Sequence, residues 1–81
     1  MKILKLEPNE APVVVEIEGS LSSMQSLVGG RIQAVFPFPE EVALICNEEG
    51  KLMGLPYNRT LRTEETDEAY DIICGPCFLC G

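Results

Sequence analysis

Eighty-one residues allow a single domain, and at this size folding removes only roughly 60% of the extended chain's surface from water, so the margin of stability is narrow. A composition with 46% hydrophobic and 23% charged residues is globular, and no apolar run approaches the ~20 residues of a membrane helix. Thirteen acids against six bases give a net charge of −7, the opposite of the basic field that nucleic-acid binding requires, and the lack of histidine removes the commonest general base and metal ligand.

The opening MKILKLEP places Lys5 and Glu7 where a signal peptide would keep its apolar stretch, so a cytoplasmic location is expected, with the four cysteines as free thiols. Lys2–Glu7 predicts a first strand with Leu4 and Leu6 on one face, and Pro8-Asn9-Glu10 signals a turn. Pro12–Glu18 is the clearest strand: Val13, Val15 and Ile17 alternate with Val14, Glu16 and Glu18. A short helix over Leu21–Val28 follows, capped by Ser20 or by Ser22 in a box with Gln25, with Leu21, Met24, Leu27 and Val28 on one face. Gly29-Gly30 supplies its exit.

Arg31–Phe36 predicts the next strand, with Ile32, Ala34 and Phe36 inward, and Pro37-Phe38-Pro39 ends it because neither proline donates to a ladder. Val42–Cys46 is an apolar run, and Asn47-Glu48-Glu49-Gly50 is a turn that could close a hairpin onto Lys51–Met53. Gly54–Asp67 reads as loop with a helical turn near Asn58–Leu61. Tyr70–Ile73 and Phe78–Leu79 form one last strand bent at Gly75-Pro76. The sum is an α+β domain over residues 1–81, a single mostly antiparallel sheet with one short helix packed on one face. Several of these strands are apolar on both sides, more than one short helix can cover. Either Gly54–Asp67 folds over the second face or another copy of the chain does, and a homo-oligomer, dimer or larger, is expected.

Cys74-x-x-Cys77-x-x-Cys80, with distant Cys46, offers four thiols that could suit zinc or an iron–sulfur cluster. The run is strand-like and apolar, so Cys74 and Cys80 should face away from Cys77, and buried or interfacial thiols are the expected state, with no metal and no cofactor. A serine or cysteine nucleophile would lack a histidine partner, no glycine-rich phosphate loop precedes a helix, and nothing pairs two carboxylates in one apolar pocket. The chain is therefore expected not to be an enzyme. The stretch Asn47–Leu61 gathers the remaining candidates. Pro56 fixes the approach to a loop, Tyr57 can stack, Asn58 can donate and accept, and Arg59 can grip phosphate or carboxylate with two parallel bonds. Asn47, Tyr57, Asn58 and Arg59 form the expected ligand-binding set for a phosphorylated, ring-bearing small molecule. The structural alternative has Tyr57 packing, Asn58 capping and Arg59 pairing with Glu48 or Glu49.

Met1–Pro8, the Val28-Gly29-Gly30-x-Ile32-x-Ala34-Val35 segment, Asn47–Leu52, Gly54-Leu55-Pro56-x-Asn58-Arg59 and Tyr70–Gly75 together resemble the domain-of-unknown-function 3846 family over nearly the whole chain. That resemblance implies a phage, plasmid or other mobile-element setting. Family members usually carry apolar or small residues where Cys74, Cys77 and Cys80 stand here, which argues against a shared metal function. By analogy of setting, the resemblance suggests a small non-enzymatic protein that sequesters a nucleotide-type defence signal. The alternatives are an acidic interaction module that inhibits a host defence or restriction enzyme, a maintenance protein without a ligand, and a cysteine-based metal-binding domain.

Overall fold

The computed structural model describes every residue from Met1 to Gly81. Seven strands and one helix follow in the order β1 (Lys2–Leu6), β2 (Val13–Glu16), α1 (Leu21–Val28), β3 (Ile32–Val35), β4 (Ala43–Asn47), β5 (Tyr57–Arg62), β6 (Ala69–Cys74) and β7 (Cys77–Cys80). The Pro8–Glu10 turn, with Asn9 at φ 62°, folds β2 back on β1 so that Ile3 lies opposite Val15 and Leu4 opposite Val14. Ser20 is the residue that caps α1, accepting from the Ser23 N–H at 3.1 Å, and Gly29 closes the helix in the left-handed conformation, donating to the Gln25 carbonyl at 2.8 Å.

Five strands make the main sheet in the order β2-β1-β7-β4-β3, all neighbours antiparallel. The last strand in sequence is thus the central one. Side-chain alternation divides the sheet's apolar residues between two cores. Ile3, Ile45 and Phe78 face one way and bury Val28 of α1, with Met24, Leu27, Val15 and Ile17 packed around them. Leu6, Leu44, Cys46 and Cys77 face the other way and bury Leu61 of β5 and Ile73 of β6. Phe78 is wholly buried, as the middle residue of the middle strand should be.

α+β therefore describes the chain, with corrections in detail. The sheet is not single: β5 and β6 form a separate two-stranded ribbon that lies over the face opposite α1. The run Tyr70–Leu79 is not one bent strand. Gly75, at φ 89°, turns the chain out of the ribbon and into the main sheet, a conformation that a residue with a Cβ rarely adopts. The expected helical turn at Asn58–Leu61 is strand β5, whose pairing with β6 shifts register between Tyr57 and Arg59, leaving Asn58 as an unopposed bulge residue. Lys51–Met53 does not continue β4 as a hairpin. It stays in a compact turn, the Met53 N–H donating to the Glu49 carbonyl at 2.8 Å and Leu55 to Gly50 at 3.0 Å. Phe36 is 70% exposed instead of inward, and its neighbour Val35 packs against the ribbon-side core. Between the two covers left open by the sequence, the chain's own ribbon takes much of the second face.

Candidate functional site

Asn47 ends β4 and is buried. Its Nδ2 donates to the Val28 carbonyl at 3.1 Å, at the end of α1, and its Oδ1 accepts from the Glu49 N–H at 2.7 Å in an Asx turn. Those bonds fasten helix to turn and leave the side chain no outward group. Asn58 is buried as well, at 4% exposure. Its Nδ2 donates to the Leu6 carbonyl at 2.8 Å and the Gly75 carbonyl at 2.9 Å, joining β5, the end of β1 and the crossover before β7. Two carbonyls need a donor, so this chemistry fixes the amide's orientation. Its Oδ1 has no partner. Tyr57 is exposed, its hydroxyl sharing a 2.6 Å hydrogen bond with the Thr60 hydroxyl.

Arg59 behaves differently. It pairs with Ile73 in the ribbon register, is half-buried, and its guanidinium donates only to the Asn58 carbonyl at 3.3 Å. The expected set is thus divided: Asn47 and Asn58 hold the scaffold, Tyr57 faces solvent, and Arg59 alone turns toward a cavity. Neither Glu48 nor Glu49 pairs with it. Glu48 instead meets Arg31 at 3.4 Å, Lys5 meets Glu7 at 3.2 Å, and Lys51 meets Asp71. Lys2, Arg59 and Arg62 make no carboxylate pair in a chain with thirteen acids.

Arg59 and Arg62 both line one groove of about 350 Å³ between the ribbon and the main sheet. Leu6, Leu44 and Leu79 form its floor, Pro37 and Phe38 one wall, and Glu64 also stands at its edge. Sequence reasoning missed Phe38 and Arg62. The signal for Arg62 was present, a second arginine three residues after Arg59 on the same extended segment with no acid before Glu64. In the sequence Phe38 marks only the end of a strand, because a loop aromatic declares nothing about which cavity it borders.

A second cleft, of about 300 Å³, runs between the β3–β4 pair, the 47–52 turn and β6. Lys51 and Asp71 pair within it, and Glu48 and Glu49 leave it acidic. The hydrogen bond from Lys51 and then the Ile72 N–H hold the Asp71 carboxyl below its usual range, and the bond to Asp71 raises Lys51. Cys46 borders this cleft, but burial pushes its thiol up, with Asp71 adding to the rise, and the thiol donates to the Gln33 carbonyl at 3.7 Å. Burial pushes Cys77 up to about 11. Both remain thiols at neutral pH, whereas a nucleophile or metal ligand must be a thiolate. Cys46 and Cys77 lie in the ribbon-side core, Cys80 packs into the helix-side core and Cys74 sits on the ribbon, so the four are dispersed and no three metal-ligating side chains gather.

No helix is long and apolar enough to cross a membrane. No curated protein and no solved structure matches the chain. The whole length, residues 1–81, matches the family described as Domain of unknown function (DUF3846), and the protein belongs to that family.

Proposed function

We propose that this chain is a non-enzymatic binding protein that takes a phosphorylated, ring-bearing small molecule of nucleotide type into the groove between the ribbon and the main sheet. The observation that carries the reading is the pair Arg59 and Arg62, both without a carboxylate and both bordering the same apolar groove. Each guanidinium meets only a backbone carbonyl, of Asn58 for Arg59 and of Asp67 for Arg62, so its charge is suited to an incoming anion, and arginine matches phosphate oxygens with two parallel donors. Phe38 offers a ring face to stack on, and Leu6, Leu44 and Leu79 offer a floor to exclude water. The volume lies in the range of small-ligand sites, from roughly 300 Å³ upward. No cysteine lines this groove, and in this reading the site binds and releases its ligand unchanged. In the mobile-element setting that the family resemblance implies, such a protein lowers the free concentration of a host defence signal. A second copy covering the open half of the ribbon-side face, at Leu4, Val14 and Leu79, would make the homo-oligomer that the sequence leads one to expect, and light scattering at micromolar concentration tests it.

Thermal unfolding against a panel of linear and cyclic nucleotides tests the ligand. A binder present a hundredfold above its Kd stabilises by about 2.7 kcal/mol. Arg59→Ala and Arg62→Ala should each remove that gain while leaving the unliganded midpoint unchanged, and the compound should be recovered intact after denaturation. A gain that survives both substitutions, or a ligand recovered chemically altered, defeats the reading.

A further inference from the structure

The main sheet leaves β2 as an outer strand, and the register states which of its groups are free. The Ile17 N–H donates inward to the Met1 carbonyl at 2.8 Å, and antiparallel bonding alternates, so Val13, Val15 and Ile17 bond to β1 while the N–H and C=O of Val14 and Glu16 point outward. The side chains there are equally open: Val13 is 54% and Val14 67% exposed. Exposed valine side chains beside the free main-chain groups of Val14 and Glu16 are a template for a further strand.

What separates this edge from an unguarded one is its charge. From Leu6 to Gly30 the chain carries Glu7, Glu10, Glu16 and Glu18 and no lysine or arginine. Glu10, Glu16 and Glu18 are exposed on or beside the strand. Three cations stand nearby on or before β1: the Met1 ammonium meets the Glu16 carboxylate at 3.8 Å, Lys5 is taken up by Glu7, and Lys2, opposite Glu16 in the register, pairs with no acid, so Glu10 and Glu18 remain unanswered. A guard of a single sign repels another copy of itself, since pairing through the same edge would bring two such segments together. The same guard attracts a strand of opposite sign. Pro12, which has no N–H, limits the docking length to the residues after it.

We infer that the β2 edge receives an extended basic segment of another protein, one that alternates lysine or arginine with β-branched residues and pairs with the outward groups of Val14 and Glu16. Main-chain bonds supply the docking and the glutamates select the sign. This surface lies apart from the arginine-lined groove, whose residues come from β1, β4, β5, β7 and the loops, and it is independent of what that groove holds.

The full-length chain is titrated with a fluorescent seven-residue peptide of alternating valine and lysine. Parallel titrations use the glutamate counterpart and a lysine peptide N-methylated at every second amide. The lysine peptide should bind roughly tenfold or more tightly than the glutamate peptide and weaken by a similar factor in high salt. N-methylation on the docking edge should abolish binding, and amide NMR shifts should centre on Val14 and Glu16. Val14→Pro removes the outward donor without touching the ladder to β1, so the fold should remain by circular dichroism while affinity falls. Three results overturn the proposal: no binding, binding indifferent to N-methylation, or shifts centred on β3 or the β5–β6 ribbon. A free protein already dimerised by main-chain pairing of β2 with β2 overturns it too.

Discussion

Asn58→Ala removes the amide that ties β5 to the end of β1 and to the crossover at Gly75. Two buried carbonyls then lose their donor, at about 1–3 kcal/mol each. Against that, the substitution also deletes the unpartnered Oδ1, whose burial already costs a similar amount, about 1–3 kcal/mol. The net is one carbonyl's penalty plus a small void, about 2 kcal/mol, which for a domain of this length lowers the thermal midpoint by roughly 8–16 °C. Circular dichroism melts of wild type, Asn58→Ala and Arg59→Ala under identical conditions read this directly. Urea titration with an unchanged slope would confirm that the loss is in stability and not in the unfolded state. Arg59→Ala is the internal contrast, because its side chain fastens nothing but the neighbouring carbonyl. A fall below roughly 4 °C for Asn58→Ala would refute the reasoning, since that corresponds to less than a single orphaned carbonyl.

Gly50→Ala should destabilise by about 1–3 kcal/mol, because the added Cβ would overlap the Cys74 backbone carbonyl, which cannot swing aside as a side chain could; the urea midpoint measures it. Ser20→Ala should lower stability by about 1 kcal/mol through loss of the cap on the Ser23 N–H, read from the same titration. The Cys77 thiol, raised by burial from 9.0 to about 11, contributes stability that is complete below pH 9 and is lost as pH climbs through 11. Melting midpoints should therefore hold level from pH 7 to pH 9 and fall above it, and Cys77→Ala should flatten that fall. In the native state at neutral pH, iodoacetamide should label half-buried Cys74 and Cys80 before Cys46 and Cys77.

The first half of the domain was legible because each element has a periodic signal and a stop. Val13–Ile17 alternates, Ser20 and Gly29 bracket the helix, and Pro37 ends β3. The Asn47–Arg62 region was not, for two physical reasons. Strand β5 carries Asn58, Arg59 and Arg62, types that rarely favour strands, and its bulge breaks the period of two, so Leu61 is its lone apolar contact with the core. Its stability comes from tertiary bonds such as those of Asn58, which local sequence cannot reveal. The candidate site was misassigned for a related reason. An asparagine able to donate and accept reads equally as a ligand contact and as a buried tie, and only burial separates the two. Arg59 differs from the two asparagines in bordering a groove and meeting no carboxylate, a placement that composition does not reveal.

The strand order has a consequence for how the chain can assemble. β7 joins the β1–β2 hairpin to the β3–β4 hairpin, yet it is the last strand to be made. A growing chain can form either hairpin early, but it cannot unite them until residues 77–80 have emerged, and the β1–β7 closure then spans more than seventy residues. Trimming the final strand would leave two hairpins with no hydrogen-bonded strand between them and would take Cys77 and Phe78 out of both cores, so a cut of a few residues there should undo the whole domain, where a cut at an outer strand would merely narrow it.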